Sequence, residues 1–169
     1  MAISLAYSFL LWHKKQEIDF YICTDQPLLI PKELSEKIQI ITLKENELGT
    51  GFSSKLHLDK LAPEGQTLFI DSDCLIYGSL TSVFEQFKGH KVSVIGKYVN
   101  KGEWFGDIES VCLKYQIPHF PKFNGGIYYL ENGEKAKEVY QLARLLEAKY
   151  DEIGFTLLRN KPNDEVVMA

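Results

Sequence analysis

Paired cysteines are missing from this sequence. Its three cysteines, Cys23, Cys74 and Cys112, lie far apart and form no CxxC pair. A disulfide framework needs an even set of cysteines and a zinc knuckle needs closely spaced ligands, so the pattern excludes both classes of protein. Unpaired thiols are typical of a reducing compartment, which predicts a cytoplasmic protein.

Long apolar runs and blocks of positive charge are also absent. The apolar stretch at residues 2–12 contains two serines and a tyrosine, and it is too short to cross a bilayer. It has neither the basic flank nor the small-residue cleavage site of a signal peptide. The net charge is -4, with acids and bases interspersed, so no basic stripe is available for a phosphate backbone. We therefore predict no membrane span and no nucleic-acid partner.

The sequence does contain enough apolar residues for one domain. Of its 169 residues, 45% are apolar and 12% are aromatic, and no repeat, low-complexity tract or linker divides the chain. A chain of this length and composition can bury a substantial core. We expect a single globular domain over residues 1–169.

Short apolar runs alternate with amphipathic helical segments along this chain. Helical spacing of apolar residues marks residues 3–13, 52–61, 79–87, 107–115 and 133–150. Strands are predicted at residues 17–23, 38–43, 67–70, 91–99 and 127–130. The alternation predicts an α/β fold, a three-layer α/β/α sandwich around a mainly parallel sheet.

The clearest strand, residues 67–70, runs directly into Asp71, Ser72 and Asp73. Carboxylates two residues apart at the end of a strand project to the same side, and oxygen ligands favour Mg²⁺ or Mn²⁺. Ligands of open α/β sheets bind at the carboxyl ends of the strands. We therefore predict a divalent metal on Asp71 and Asp73. The alternative, a solvated turn or a helix N-cap, does not explain why residues 75–77 continue apolar.

Three segments together resemble a known family. Residues 55–61 (KLHLDKL) and 67–80 (TLFIDSDCLIYGSL) resemble the donor-site segment of GT-A-fold glycosyltransferases, especially glycosyltransferase family 8, which includes glycogenin and bacterial lipopolysaccharide glucosyl- and galactosyltransferases. Residues 123–127 (FNGGI) resemble the family's Phe-Asn-Ser-Gly-Val turn beside the donor sugar and acceptor. Residues 163–165 (NDE) resemble its acidic Asp-Gln pair, which closes over the sugar.

The resemblance implies transfer of a hexose from a nucleotide-sugar, a UDP-sugar by family likeness, to a hydroxyl of a carbohydrate or protein acceptor. Mn²⁺ or Mg²⁺ on the two aspartates would neutralise the charge of the diphosphate leaving group. Asp164 and Glu165 would be catalytic, orienting the donor sugar or accepting a proton. The residues implied to bind the donor and its metal are Lys55, Asp71, Ser72, Asp73, Asn124, Gly125 and Gly126.

The sequence also departs from the family. It opens in the helix that follows the family's first strand, and it stops before the histidine that serves as third metal ligand, so we expect a chain that is incomplete at both ends. Gly125 replaces the usual serine, and Glu165 replaces the commoner glutamine.

Other interpretations remain open. One is an inactive domain that binds a sugar-nucleotide. Another is a haloacid-dehalogenase-like phosphatase, but Cys74 stands where that family has Thr or Val, and its later Gly-Asp and Asp pair is missing. Individual residues also have structural alternatives: Lys55 as a solvated helix lysine, residues 124–126 as a tight turn, and Asp164 as a helix N-cap.

Overall fold

A computed structural model describes residues 1–14 and 17–169. The chain divides into two compact units, each of which is treated by itself below. Unit 1 comprises Met1–Glu47 and Ile70–Lys88, and unit 2 comprises Leu48–Phe69 and Gly89–Ala169. Helices and strands occur in both units, so the predicted α/β class is confirmed.

The elements follow one another in short segments. The helices are α1 Ala2–Trp12, α2 Lys32–Ser35, α3 Leu58–Leu61, α4 Thr81–Phe87, α5 Ile108–Tyr115, α6 Glu134–Glu147, α7 Tyr150–Ile153 and α8 Asp164–Met168. The strands are β1 Tyr21–Thr24, β2 Gln39–Thr42, β3 Gly65–Ile70, β4 Val92–Ser93, β5 Gly96–Val99, β6 Phe120–Phe123 and β7 Ile127–Asn132. Two 3₁₀ turns lie at Pro27–Leu29 and Gly51–His57. None of the helices in the described ranges has both the length and the apolarity that crossing a membrane requires.

In unit 1, α1 contributes buried side chains to two core clusters. Strands β1 and β2 pair in parallel, with Tyr21 opposite Gln39. Helix α1 buries Ala6 against residues around this sheet, and it buries Leu5 and Phe9 against the segment that contains Ile76. The apolar side chains of α1 are therefore shared between two clusters.

Two polar side chains of unit 1 hold the segment that follows Asp73. The Ser8 hydroxyl accepts a hydrogen bond from the backbone N–H of Ile76 at 2.9 Å. The His13 Nε2 atom accepts one from the N–H of Leu80 at 3.0 Å. These bonds satisfy backbone groups that no strand partner takes up, so they fix the course of the chain after the acidic turn.

In unit 2, one helix packs on a small three-stranded sheet. The strand order is β3-β7-β4, and β4 runs antiparallel to β7 with Val92 opposite Leu130. Strands β5 and β6 form a separate antiparallel pair. Tyr140 of α6 is fully buried in a cluster with Tyr128 and Leu130. This packing places β7, which follows the Asn-Gly-Gly turn, in the centre of the unit.

The described strands form small sheets that are partly parallel, so the finer prediction of one mainly parallel sheet in a three-layer sandwich is not confirmed. They make three small sheets, in which β1 and β2 are parallel whereas β4–β7 and β5–β6 are antiparallel. Residues 67–70 of β3 are half-buried, and β3 lies at the edge of its sheet among the described strands.

Several boundaries also differ from the predictions. Residues 52–61 are mostly a 3₁₀ turn rather than an α-helix, and the predicted strand 91–99 is interrupted between β4 and β5. The long helix ends at Glu147, and a separate short helix follows. On this helix, Val139 is 39% exposed. Arg144 is half-buried because it pairs with a buried acid described below.

Candidate functional site

Lys55 reaches two segments that lie far away in the sequence. Its side chain projects from the 3₁₀ turn Gly51–His57 and is only 16% exposed. The ammonium Nζ donates to the carbonyl oxygen of Gly125 at 2.8 Å and lies 4.0 Å from Oδ2 of Asp164. It also stands 5.5 Å from the centre of the Phe69 ring. Lys55 is therefore not a solvated helix lysine.

Hydrogen bonds hold the turn at residues 124–126 in place. Oδ1 of Asn124 accepts a hydrogen bond from the N–H of Gly126 at 2.9 Å, which is the bond of an Asx turn. The N–H of Gly125 donates to Oε1 of Glu165 at 2.6 Å. Together with the bond from Lys55, both backbone polar groups of Gly125 are held by side chains.

Gly125 is glycine because neighbouring side chains leave no space for a Cβ atom. A Cβ there would lie 2.8 Å from Oδ2 of Asp164, 3.0 Å from Cγ of Glu165 and 3.1 Å from the hydroxyl of Tyr128. Gly125 and Gly126 are buried, whereas Asn124 is exposed. The close approach to this backbone is therefore made by the protein's own carboxylates, and Asn124 is the member of the turn that a ligand can reach.

Asp164 is a buried carboxylate at the start of α8. Asn163 is the N-cap of this helix: its Oδ1 accepts hydrogen bonds from the N–H groups of Glu165 at 2.9 Å and Val166 at 3.3 Å. The N-cap interpretation of Asp164 is therefore wrong. Asp164 is 3% exposed, and its Oδ2 accepts a hydrogen bond from the Tyr128 hydroxyl at 2.7 Å.

Burial controls the protonation of this pair. Loss of solvation raises the pKa of Asp164, while the hydrogen bond from Tyr128 and the positive charge of Lys55 lower it in part. Burial also raises the pKa of Tyr128, and the negative charge of Asp164 raises it further. Tyr128 therefore keeps its proton and acts as the hydrogen-bond donor to Asp164.

Helix α6 fixes the turn that carries Lys55. Arg144 donates to the carbonyl oxygen of Leu56 at 2.6 Å and makes two bonds to the Asp59 carboxylate, at 2.7 and 3.0 Å. One turn further along α6, Glu147 accepts a hydrogen bond from the Ser53 hydroxyl. Asp59 is buried, so the bidentate geometry with Arg144 compensates for its desolvation.

Asp71, Ser72 and Asp73 belong to unit 1 and form a tight turn directly after β3. The N–H of Cys74 donates to the carbonyl oxygen of Asp71 at 3.0 Å. Ser72 and Asp73 are exposed, and Asp71 is half-buried. In the segment expected to continue apolar, Leu75 and Tyr77 are exposed and only Ile76 is buried, so this chain alternates in the manner of a surface segment.

The donor set at this turn suits a hard cation that binds through few protein ligands. No group of three or more His, Cys, Asp or Glu side chains among residues 1–14 and 17–169 is arranged to hold a metal. Mg²⁺ is commonly bound through one or two carboxylates, with water and substrate phosphates completing its shell. This turn offers two carboxylates, Asp71 half-buried and Asp73 exposed, which is the number of protein ligands that this mode of binding uses.

Sequence reasoning missed three residues of these networks: Tyr128, Asn163 and Arg144. Tyr128 had a readable signal, since a tyrosine in an apolar strand needs a partner for its hydroxyl. Asn163 also had one, because Asn before an acidic first turn is a preferred N-cap. No local sequence pattern could have identified Arg144, because its partner Asp59 is 85 residues away in the sequence.

Comparison with protein-family models, curated proteins and solved structures finds no match to this chain.

Proposed function

We propose that this chain is the donor-binding part of a metal-dependent glycosyltransferase with a three-layer GT-A sandwich, which moves a hexose from a UDP-sugar to an acceptor hydroxyl. One observation carries the proposal. Lys55, Gly125 and Asp164 were selected from three separate segments, and the structure brings them within hydrogen-bonding or ion-pairing distance. Three coincidental matches to short motifs would give no reason for these three residues to meet.

Each unit by itself contains residues that the proposal uses. Asp71 and Asp73 would hold Mn²⁺ or Mg²⁺, which would supply positive charge to the diphosphate as the bond to the sugar breaks. In unit 2, the Asp164 carboxylate is suited to accept hydrogen bonds from sugar hydroxyls, and the exposed Asn124 amide is suited to donate one.

Glu165 is better suited to a supporting role than to catalysis. Its carboxylate accepts the N–H of Gly125 at 2.6 Å, so a proton transfer at Glu165 would weaken the bond that holds the turn. Asp164 is the better candidate for contact with the sugar, because burial raises the pKa of its carboxylate and so makes it a stronger base than an exposed aspartate.

A domain that binds a sugar-nucleotide without turnover is the second candidate. The observation that favours it is that both acids proposed as catalytic are already engaged: Asp164 by Tyr128, and Glu165 by Gly125. A general base has to be within reach of the acceptor hydroxyl.

Titration calorimetry and a product assay separate these candidates. The chain is titrated with UDP-glucose in Mn²⁺ and in EDTA, and UDP release is measured with and without sugar acceptors. Mn²⁺-dependent heat together with UDP release supports the transferase, and heat without release supports the binding domain. Absence of Mn²⁺-dependent heat contradicts both.

A further inference from the structure

Tyr128 is the residue on which the Asp164 carboxylate depends most closely. It lies on β7 with 1% of its surface exposed. Its ring stands edge-on to Phe123, with centroids 5.7 Å apart, and tilted to Phe69 at 6.2 Å. Because these contacts fix the ring, the position of its hydroxyl is also fixed.

We propose that Tyr128 is a positioning residue, which donates to Oδ2 of Asp164 and thereby holds this carboxylate in the orientation that accepts hydroxyls of the donor's sugar ring. This inference rests on the proposed function, because it needs a sugar at Asp164. It assigns Tyr128 no contact with the reacting atoms.

Of Tyr128 and Lys55, the Tyr128 hydroxyl lies closer to the Asp164 carboxylate and is the one that donates a hydrogen bond to it. The hydroxyl oxygen is 2.7 Å from Oδ2, whereas the Lys55 ammonium, at 4.0 Å, is beyond hydrogen-bonding distance and donates to Gly125 instead. The backbone of Asp164 is fixed by the Asn163 cap, so its side-chain torsions are the remaining freedom. A buried carboxylate that loses its donor is free to rotate and is also easier to protonate.

Tyr140 offers a matched control within the same cluster. It is buried completely and packs with Tyr128 in unit 2. Its hydroxyl has no hydrogen-bond partner within the described ranges of the chain. Replacement by phenylalanine at either position removes one buried hydroxyl and keeps the ring, but only at Tyr128 does it remove a bond to Asp164.

The test compares affinities of the full chain for UDP-glucose and for UDP, both in Mn²⁺. We expect Tyr128→Phe to weaken UDP-glucose binding about tenfold, as for a lost hydrogen bond to a charged group, and to leave UDP binding unchanged. Tyr140→Phe should change neither affinity. In an Asp164→Asn background, Tyr128→Phe should cause no further loss, because it acts through that carboxylate.

Three results overturn the inference. If Tyr128→Phe binds UDP-glucose as the wild type does, the hydroxyl does not position Asp164, although the proposed function stands. If UDP and UDP-glucose weaken equally, the substitution has only disturbed the fold. If the wild-type chain binds neither ligand in Mn²⁺, the proposed function fails and the role of Tyr128 fails with it.

Discussion

The Lys55 ammonium donates to the carbonyl oxygen of Gly125 at 2.8 Å, although 70 residues separate them in the sequence. On the other side of Gly125, Glu165 accepts its N–H across 40 residues. Gly125, which lies in the turn before β7, thus contacts both the 3₁₀ turn and helix α8 within unit 2. The stability of this part of the unit and its proposed binding function should therefore depend on the same few contacts.

Removal of the Lys55 charge should destabilise the chain. We expect Lys55→Met to lower the free energy of unfolding by about 1–3 kcal/mol, because the substitution deletes a charge-assisted hydrogen bond and leaves Asp164 without its nearest cation. Urea unfolding measures the loss. Lys60→Met, at an exposed position a few residues away, is the control and should change little. Equal midpoints for the two variants would contradict the account.

The lack of space for a Cβ atom at Gly125 leads to a second prediction. Gly125→Ser should lower the free energy of unfolding by about 1–3 kcal/mol, because its Cβ would overlap Oδ2 of Asp164 at 2.8 Å. Gly78→Ser is the matched control, since nothing lies within 4 Å of a Cβ there. Thermal unfolding of both variants checks the prediction. A Gly125→Ser protein as stable as Gly78→Ser would show that the turn is not packed as described.

The buried ion pair behind the 3₁₀ turn should be sensitive to loss of one partner. Asp59→Asn leaves the Arg144 guanidinium without a carboxylate, and we expect a loss of about 3–5 kcal/mol in chemical unfolding. Glu138→Gln removes one partner of the exposed pair with Lys135, and it should have little effect. The account would be wrong if both substitutions had the same small effect.

The stability of the chain should fall in mild acid. Burial lowers the pKa of His13 below its ordinary value of 6.5, partly offset by Glu17, and its Nε2 must stay unprotonated to accept the N–H of Leu80. The unfolded chain then binds more protons than the folded one, so this stability is complete above about pH 6.5 and declines as the pH falls. We expect His13→Gln to reduce the difference in unfolding free energy between about pH 7.5 and pH 5.5.

Burial also lowers the pKa of His57, so the His13→Gln variant should keep part of the pH dependence of the wild type. A slope identical to that of the wild type would mean that His13 does not contribute.

The elements that sequence patterns predicted are those with local causes. The helix at residues 107–115 is confirmed, and Asp107 caps it by accepting hydrogen bonds from Glu109 N at 3.2 Å and Ser110 Oγ at 2.6 Å. Helix α1, which was predicted from the helical spacing of its apolar residues, is also confirmed. Both features depend on residues within a few positions of each other.

Elements with distant causes were not predictable in the same way. Strand β6 contains Pro121, which argues against a strand, yet it forms because β5 pairs with it and places Tyr98 opposite this proline. Two of the buried tyrosines of unit 2, Tyr128 and Tyr140, show the same limit. Both lie in apolar patterns of the sequence, but only the fold determines that the hydroxyl of Tyr128 meets Asp164 and that of Tyr140 does not.

The candidate site was predictable in composition and not in geometry. The motifs selected Lys55, Gly125 and Asp164, and the structure brings these three residues together in unit 2. The glycines of the turn were expected to admit a substrate, whereas the atoms close to Gly125 belong to Asp164, Glu165 and Tyr128. A motif specifies which residue types occur, and the packing of three distant segments decides what each one touches.

Calorimetric titration of the Asp73→Asn variant tests the central claim most directly, because that claim is a divalent ion held at the turn after β3. We predict that Mn²⁺ strengthens UDP-glucose binding to the wild-type chain and to Asp25→Asn, an exposed acid after β1, but not to Asp73→Asn. Matching unfolding midpoints would establish that all three proteins are folded. Undiminished Mn²⁺-dependent affinity in Asp73→Asn would contradict the account.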